Sequence, residues 1–180
     1  MYTIQMVKDI FHSGSFAHSY DKQIIADIVF LLQEGLLSVE KKKISDKNHY
    51  IKHIDDIKSG KISRIDIEGG GDGHLALKLL AKNYLIAGGC EKINFEQQYE
   101  GYVPDVITFD KKIIIECGNT NADKVFYYFK NKNLKEMIII PYPADEEANI
   151  WCYIFKPGEE LSEFLFFREK EMLKKAVSKI

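Results

Sequence analysis

The sequence predicts a mixed α/β fold of the α+β kind, in which helices pack on a mixed sheet. Three observations support this. Apolar residues recur at helical spacing near both ends of the chain and in its middle, and β-rich runs lie between these stretches. In addition, the runs 106–109 and 112–115 flank the polar pair Asp110-Lys111, which predicts a β-hairpin. Elements in this order are typical of helices layered on a sheet.

Length and composition fit a packed globular protein. The chain has 180 residues, 46% of them hydrophobic, and a formal net charge of −2. This charge argues against a nucleic-acid binder that works by overall charge, but it leaves a local basic surface open. Cys90, Cys117 and Cys152 are far apart, which disfavours a disulfide scaffold or a zinc finger and fits a reducing compartment. With no signal peptide and no long apolar run, we expect a cytoplasmic protein that does not enter a membrane.

Residues 1–60 are expected to form a helical N-terminal extension, and residues 61–180 an α/β domain. A broad apolar stripe within residues 24–37 predicts a helix that ends near Gly35. The charged run 40–43 follows. It is typical of a solvated turn, and a phosphate contact is the alternative interpretation.

The second part of the chain alternates between helices and strands. Gly69 to Gly73 opens a helix that runs to about Ala87, where Gly88-Gly89 ends it. The remaining elements are expected in this order: a strand at 93–98, the hairpin, a helix over 121–132, strands at 137–140 and 150–155, and a closing helix over 159–177.

The hairpin carries the candidate site. If Asp110 and Lys111 form its loop, Ile107 pairs with Ile114 and Asp105 lies directly opposite Glu116. Directly opposed residues have Cβ atoms roughly 4.5–5.5 Å apart. Two carboxylates so placed beside apolar sequence would repel each other, and a divalent cation between them would remove the repulsion. The hairpin therefore predicts a metal site.

Two other interpretations of the hairpin remain open. Asp105 follows Pro104 and could simply cap a turn, since acidic residues are common at strand ends. A three-residue loop would also shift the register by one residue and place the two carboxylates on opposite faces of the sheet.

Pro104-Asp105 before one strand and Glu116 at the end of the next, within the order α-β-β-β-α-β, resemble the PD-(D/E)XK nuclease superfamily. The likeness covers about residues 69–141. Three segments resemble a restriction-endonuclease-like branch in which Glu-Cys-Gly replaces Glu-x-Lys: 73–78 (Gly-His-Leu-Ala-Leu-Lys), 101–105 (Gly-Tyr-Val-Pro-Asp) and 116–120 (Glu-Cys-Gly-Asn-Thr). The resemblance implies a restriction-endonuclease-like αβββαβ core.

The resemblance also implies a metal-dependent phosphodiester hydrolase, and we expect a DNA endonuclease. It assigns Mg²⁺ or Mn²⁺ to Asp105, Glu116 and the main-chain carbonyl of Cys117, whose side chain is expected to be a small buried hydrophobe. Oxygen ligands of this kind favour magnesium over zinc, and the metal would activate the attacking water. Glu96 is the expected third acidic ligand, with Glu68 and Asp72 as alternatives.

The chain departs from the superfamily signature at one position. Gly118 stands where the signature has a lysine that orients the water and stabilises the transition state. Lys124, at the start of the following helix, is the expected catalytic replacement, and Lys78 on the preceding helix is the alternative. Each lysine could also be an ordinary solvated helical residue.

Substrate contacts are expected from His74, Asn119 and Thr120, which could bind phosphate. Nucleic acid, specifically DNA, is therefore the expected partner, and aromatic residues in the last helix could form a homodimer surface. Because Gly118 replaces the signature lysine, a second hypothesis stands beside the nuclease. In it the fold is catalytically inactive and serves as a DNA-binding or protein-binding module.

Overall fold

A computed structural model describes residues 2–11, 19–67 and 69–177; Glu68 lies outside these ranges. The elements within them are α1 (Ile4–Phe11), α2 (Ser19–Gln33), β1 (Leu37–Asp46), α3 (Lys47–Lys58), a 3-10 turn (Arg64–Asp66), α4 (Asp72–Ala87), β2 (Ile93–Phe95), β3 (Val106–Thr108), β4 (Ile113–Cys117), α5 (Lys124–Phe129), β5 (Glu136–Ile140), β6 (Asn149–Pro157) and α6 (Leu161–Val177). No helix in these ranges has both the length and the apolar character needed to cross a bilayer.

The strands form one six-stranded sheet in the order β1-β6-β5-β4-β3-β2. Strands β4 and β5 are parallel and are joined through α5, whereas the other neighbouring pairs are antiparallel. The expected mixed α/β fold is therefore confirmed at the level of helices packed on a mixed sheet.

Both faces of the central strands are buried, and each face packs on different helices. Ile114 of β4 belongs to a cluster with Tyr128 of α5 and with residues of α1, α2 and α6. Its neighbour Ile115 points the other way, into a cluster with Leu77 of α4. Because successive side chains of a strand alternate between faces, α5 and α4 cover opposite faces of β4.

The expectation of a helical segment over residues 1–60 is wrong at 37–46, which form β1. Within the described residues this strand lies at the edge of the sheet and pairs only with β6. Its lysines extend along aromatic rings: the Lys41 ammonium is 4.7 Å from the centroid of Trp151, and the Lys42 ammonium is 5.3 Å from that of Tyr84. Charged residues suit an exposed edge because they discourage pairing with a second chain.

Helices α1 and α2 also pack on the sheet. Phe11 of α1 and Ile28 of α2 are buried in the same cluster as Phe155 of β6. The rings of Phe11 and Phe155 lie 5.7 Å apart. The N-terminal residues thus complete the hydrophobic core on the face of the sheet that α5 also covers.

Candidate active site

The hairpin has the register that the sequence predicts. Val106 pairs with Ile115 and Ile107 with Ile114, so the same count places Asp105 opposite Glu116. Asp105 itself lies in a bend directly before β3, whereas Glu116 is part of β4. This difference in backbone conformation determines where the two carboxylates point.

The two carboxylates bond to residues of different helices, and the expectation that they share one cation stays a prediction. Glu116 follows the alternation of β4 and bonds to residues of α5. Asp105 lies just before β3, and its Oδ1 atom bonds to His74 of α4. Its second oxygen accepts a hydrogen bond from the backbone N–H of Cys117 at 2.7 Å. Asp105 is therefore attached to the end of β4, next to Glu116.

Glu116 is a buried carboxylate with two protein donors. The Lys124 ammonium lies 2.7 Å from Oε2, and the Tyr128 hydroxyl donates to Oε1 at 2.6 Å. Only 3% of Glu116 is exposed. Burial raises the pKa of its carboxyl, the Lys124 charge and the hydrogen bonds oppose this, and the charge of Asp105 raises it further. The expected position of the Lys124 ammonium beside Glu116 is confirmed.

This pKa shift predicts how stability depends on pH. Since the pKa of Glu116 is higher in the folded chain than the ordinary value of 4.5, the folded chain binds the proton more tightly. Its contribution to stability is complete below pH 4.5 and is lost as the pH rises through the folded-state pKa. Relative to wild type, Glu116→Gln should therefore gain stability across that interval. Chemical denaturation of both proteins from acid to neutral pH checks this, and a falling difference would contradict it.

A second charged cluster surrounds Asp105. The Nε2 atom of His74 lies 2.9 Å from Oδ1 of Asp105, and the Lys78 ammonium lies 3.9 Å from the same oxygen. Lys78 is fully buried, pairs with Glu96 and donates to the backbone carbonyl of Gly69 at 3.0 Å. Lys78 thus holds Glu96 and Asp105 on one side of the sheet.

The expectation that Glu96 lies inside a strand is wrong, since the residue follows the end of β2. Its φ of +47° turns the chain out of the strand. A non-glycine residue in this conformation is uncommon. The ion pair with Lys78 fixes the Glu96 side chain on the α4 side of the sheet, with Asp105 and away from the α5 residues that hold Glu116.

Gly118 has a steric reason to be glycine. Its φ is +77°, and a Cβ atom there would lie 2.5 Å from the Tyr142 ring. Its N–H donates to the carbonyl of Ile140 at 2.7 Å, so the backbone cannot easily move away. A lysine side chain therefore does not fit at this position.

We expect Gly118→Ala to destabilise the fold by about 2–5 kcal/mol, the sum of a left-handed conformation and overpacking. Gly89 is the matched control, because its φ is +90° and a Cβ added there would meet no atom within 4 Å. Gly89→Ala should cost only about 1–2 kcal/mol. Thermal unfolding of both variants checks the difference. Equal losses would show that the Tyr142 contact is unimportant.

The two remaining candidate substrate contacts, Asn119 and Thr120, differ in burial. Asn119 is exposed, while Thr120 is buried and its hydroxyl has no hydrogen-bond partner among the described residues.

Sequence reasoning missed one residue of the site. The sequence predicts Tyr128 only as a core residue, but the Tyr128 hydroxyl also donates to Glu116. The spacing contains a signal for this contact, because residues four apart share a helix face and Lys124 is predicted beside Glu116.

The donor chemistry fits a hard divalent cation. The described residues contain no group of three or more His, Cys, Asp or Glu side chains that could hold a metal ion. Magnesium requires fewer, since it is commonly bound by one or two carboxylates and keeps several waters. Asp105, Glu116 and the main-chain carbonyl of Cys117 supply oxygen donors of this kind. Burial is the main cause of the raised pKa of Glu116, and the charge of Asp105 adds to it, so a cation near the two carboxylates would favour their ionised forms.

No protein-family model matches the chain, and comparisons with curated proteins and with solved structures give no match.

Proposed function

We propose that this chain is a metal-dependent phosphodiester hydrolase, a DNA endonuclease of the restriction-endonuclease-like PD-(D/E)XK type. One observation carries the proposal. The buried carboxylate of Glu116 lies at the end of β4 between a lysine and a tyrosine, and Asp105 is hydrogen-bonded to the next residue of the same strand.

The order of the elements supports the proposal. Helix α4 is followed by the antiparallel strands β2, β3 and β4, and α5 then leads to β5, which runs parallel to β4. This order agrees with the αβββαβ core that the resemblance implies and so supports the proposal. Strands β6 and β1 extend the sheet beyond β5, and helices α1, α2 and α6 pack on the face that α5 also covers.

The proposed chemistry follows from the side chains of the site. Asp105, Glu116 and the carbonyl of Cys117 would hold Mg²⁺ or Mn²⁺, which lowers the pKa of water and neutralises charge on the phosphate. Lys124 places a positive charge against Glu116, where it can stabilise the negative charge that develops during cleavage. His74 and Lys78 hold Asp105, and Lys78 also holds Glu96.

The test is cleavage of supercoiled plasmid DNA. The wild-type chain should convert it to nicked or linear products with Mg²⁺ or Mn²⁺ and leave it intact with EDTA. Single-stranded DNA and a matched RNA, assayed in parallel, define the substrate class. Failure to cleave any of these substrates with either metal would reject the hydrolase.

A specific observation favours a second function, a catalytically inactive module that binds DNA or protein. All four oxygens of the two carboxylates already have a protein neighbour: His74 and the Cys117 N–H at Asp105, and Lys124 and Tyr128 at Glu116. Such pairing would also stabilise a site without a metal. Retained DNA binding without cleavage would support this module.

A further inference from the structure

A cavity of about 160 Å³ lies beside the candidate active site. Aromatic side chains form much of its wall, and carboxylates add polar groups. The lining includes Tyr142, Trp151, Tyr153, Pro141, Asp9 and Glu147. Drug-sized ligands occupy pockets of roughly 300–1,000 Å³. This cavity is smaller and suits a single planar ring system.

Tyr142 connects the cavity to the candidate active site. Its ring lines the cavity, and the same ring fills the space in front of Gly118, which follows Cys117 at the end of β4. A group in the cavity would therefore lie next to a substrate phosphate at Glu116 and Asp105.

The walls of the cavity are held in place by the fold. Trp151 and Tyr153 belong to β6, the second strand of the sheet. The opposite wall is the loop after β5, to which Lys47 donates hydrogen bonds at the carbonyls of Ala144 and Asp145, at 2.8 and 2.7 Å. A cavity built in advance binds its ligand without first ordering a loop.

We propose that this cavity binds a nucleobase of the substrate, an inference that rests on the proposed function and deepens it. Every base has a flat face that stacks on aromatic rings, and single-stranded binders use such platforms. The base must be unpaired or flipped out of a duplex to enter. The Lys41 ammonium lies 4.7 Å from the centroid of the Trp151 ring and 5.6 Å from that of Tyr153, and it can pair with the phosphate attached to a bound base.

The carboxylates give the cavity a base preference. Asp9 and Glu147 accept hydrogen bonds and donate none when ionised. Adenine, cytosine and guanine carry amino groups whose two N–H bonds can donate to them, whereas an unpaired thymine offers only its ring N3–H between two carbonyls. Bases with amino groups are therefore expected to bind more tightly than thymine.

Trp151 provides a direct measurement because it is the only tryptophan in the chain. Its fluorescence should be quenched saturably by deoxynucleoside monophosphates and by short single-stranded oligonucleotides, with thymidine monophosphate the weakest of the mononucleotides. The titration is done in EDTA, so it needs neither metal nor cleavage. N-acetyltryptophanamide corrects for light absorbed by the bases, and an abasic sugar phosphate tests whether the base itself is bound.

Matched variants test whether the fluorescence quenching comes from binding in the cavity. Tyr153→Ala should weaken binding about tenfold or more through lost stacking, and Tyr153→Phe should retain it. Glu147→Gln keeps an oxygen for the hydrogen bond from the Ala144 N–H, so the loop should stay in place. The Glu147→Gln change should reduce the preference for bases with amino groups over thymine several-fold, while the affinity for thymidine monophosphate stays nearly unchanged. It also tests the cavity independently should Tyr153→Ala fail to fold.

The outcomes separate this proposal from the proposed function. Saturable quenching without cleavage on any substrate would uphold the cavity and reject the hydrolase. Cleavage without base-dependent quenching would overturn the cavity and leave the hydrolase standing. An oligonucleotide that binds more tightly than its mononucleotides supports a base within a strand, and equal affinities would overturn that assignment in favour of a free nucleotide.

Discussion

Glu116→Gln and Asp105→Asn should each reduce Mg²⁺-dependent DNA cleavage to the level seen in EDTA, while the chain remains folded. Each change removes one negative charge from a proposed magnesium ligand and keeps the shape of the side chain. Hard cations prefer charged carboxylate oxygens, and a neutral amide is a weaker ligand. Plasmid cleavage, measured together with Mn²⁺ binding by calorimetry, should show both activities lost together.

The isosteric Gln and Asn variants are needed because both carboxylates also form hydrogen bonds and ion pairs that stabilise the fold. Asp105→Ala would leave the Cys117 N–H without its acceptor and remove a charge beside the buried Lys78, so lost cleavage could reflect misfolding. Asn retains an oxygen for the Cys117 N–H. Asp110→Asn is the control, since that residue lies in the exposed loop of the same hairpin. Full cleavage by folded Glu116→Gln would remove Glu116 from the mechanism.

The register of the hairpin could be predicted because it depends on local chemistry. The polar pair Asp110-Lys111 fixes the reversal, and the apolar runs on both sides fix which residues face each other. The position of the Lys124 ammonium was predictable for the same reason. It lies only eight positions after Glu116, and most of the intervening residues form a short connection into α5.

Strand β1 could not be predicted because its pairing is distant in sequence. Leu37 pairs with Pro157, and Lys43 with Trp151, so the strand forms only when β6 is available. Its central lysines lack the apolar alternation by which half-buried strands are found. Their contacts with aromatic rings of β6 and α4 appear only in the folded chain.

The contact between Asp105 and His74 could not be predicted for a related reason. Counting residues predicts which positions face each other only while both belong to strands. Asp105 stands just outside β3, and His74 on α4, 31 residues earlier, competes for its carboxylate. Likewise, the need for glycine at position 118 comes from Tyr142, which the sequence places 24 residues away. Tertiary neighbours decide both features.

Lys124→Ala is expected to slow DNA cleavage by about 10²–10³, the usual effect of losing one electrostatic donor to a transition state. Lys124 is better placed for this role than Lys78. The Lys78 ammonium is buried and directed at Glu96 and at the carbonyls of Gly69 and Ile67, whereas the Lys124 side chain retains 16% exposure beside Glu116. DNA affinity should change little, because the charge acts mainly on the transition state.

Three further variants define what Lys124 does. Lys124→Arg should also impair cleavage if the ammonium gives up a proton, since a guanidinium stays protonated at neutral pH. Lys78→Met keeps an apolar stem in the buried site, and a larger loss there would move the catalytic role to α4. Lys132→Ala is the neutral control, because that lysine is exposed and pairs with Glu163 on the surface. If neither Lys124→Ala nor Lys78→Met alters cleavage more than a few-fold, no lysine acts in the chemical step and activation of the water must come from the metal alone.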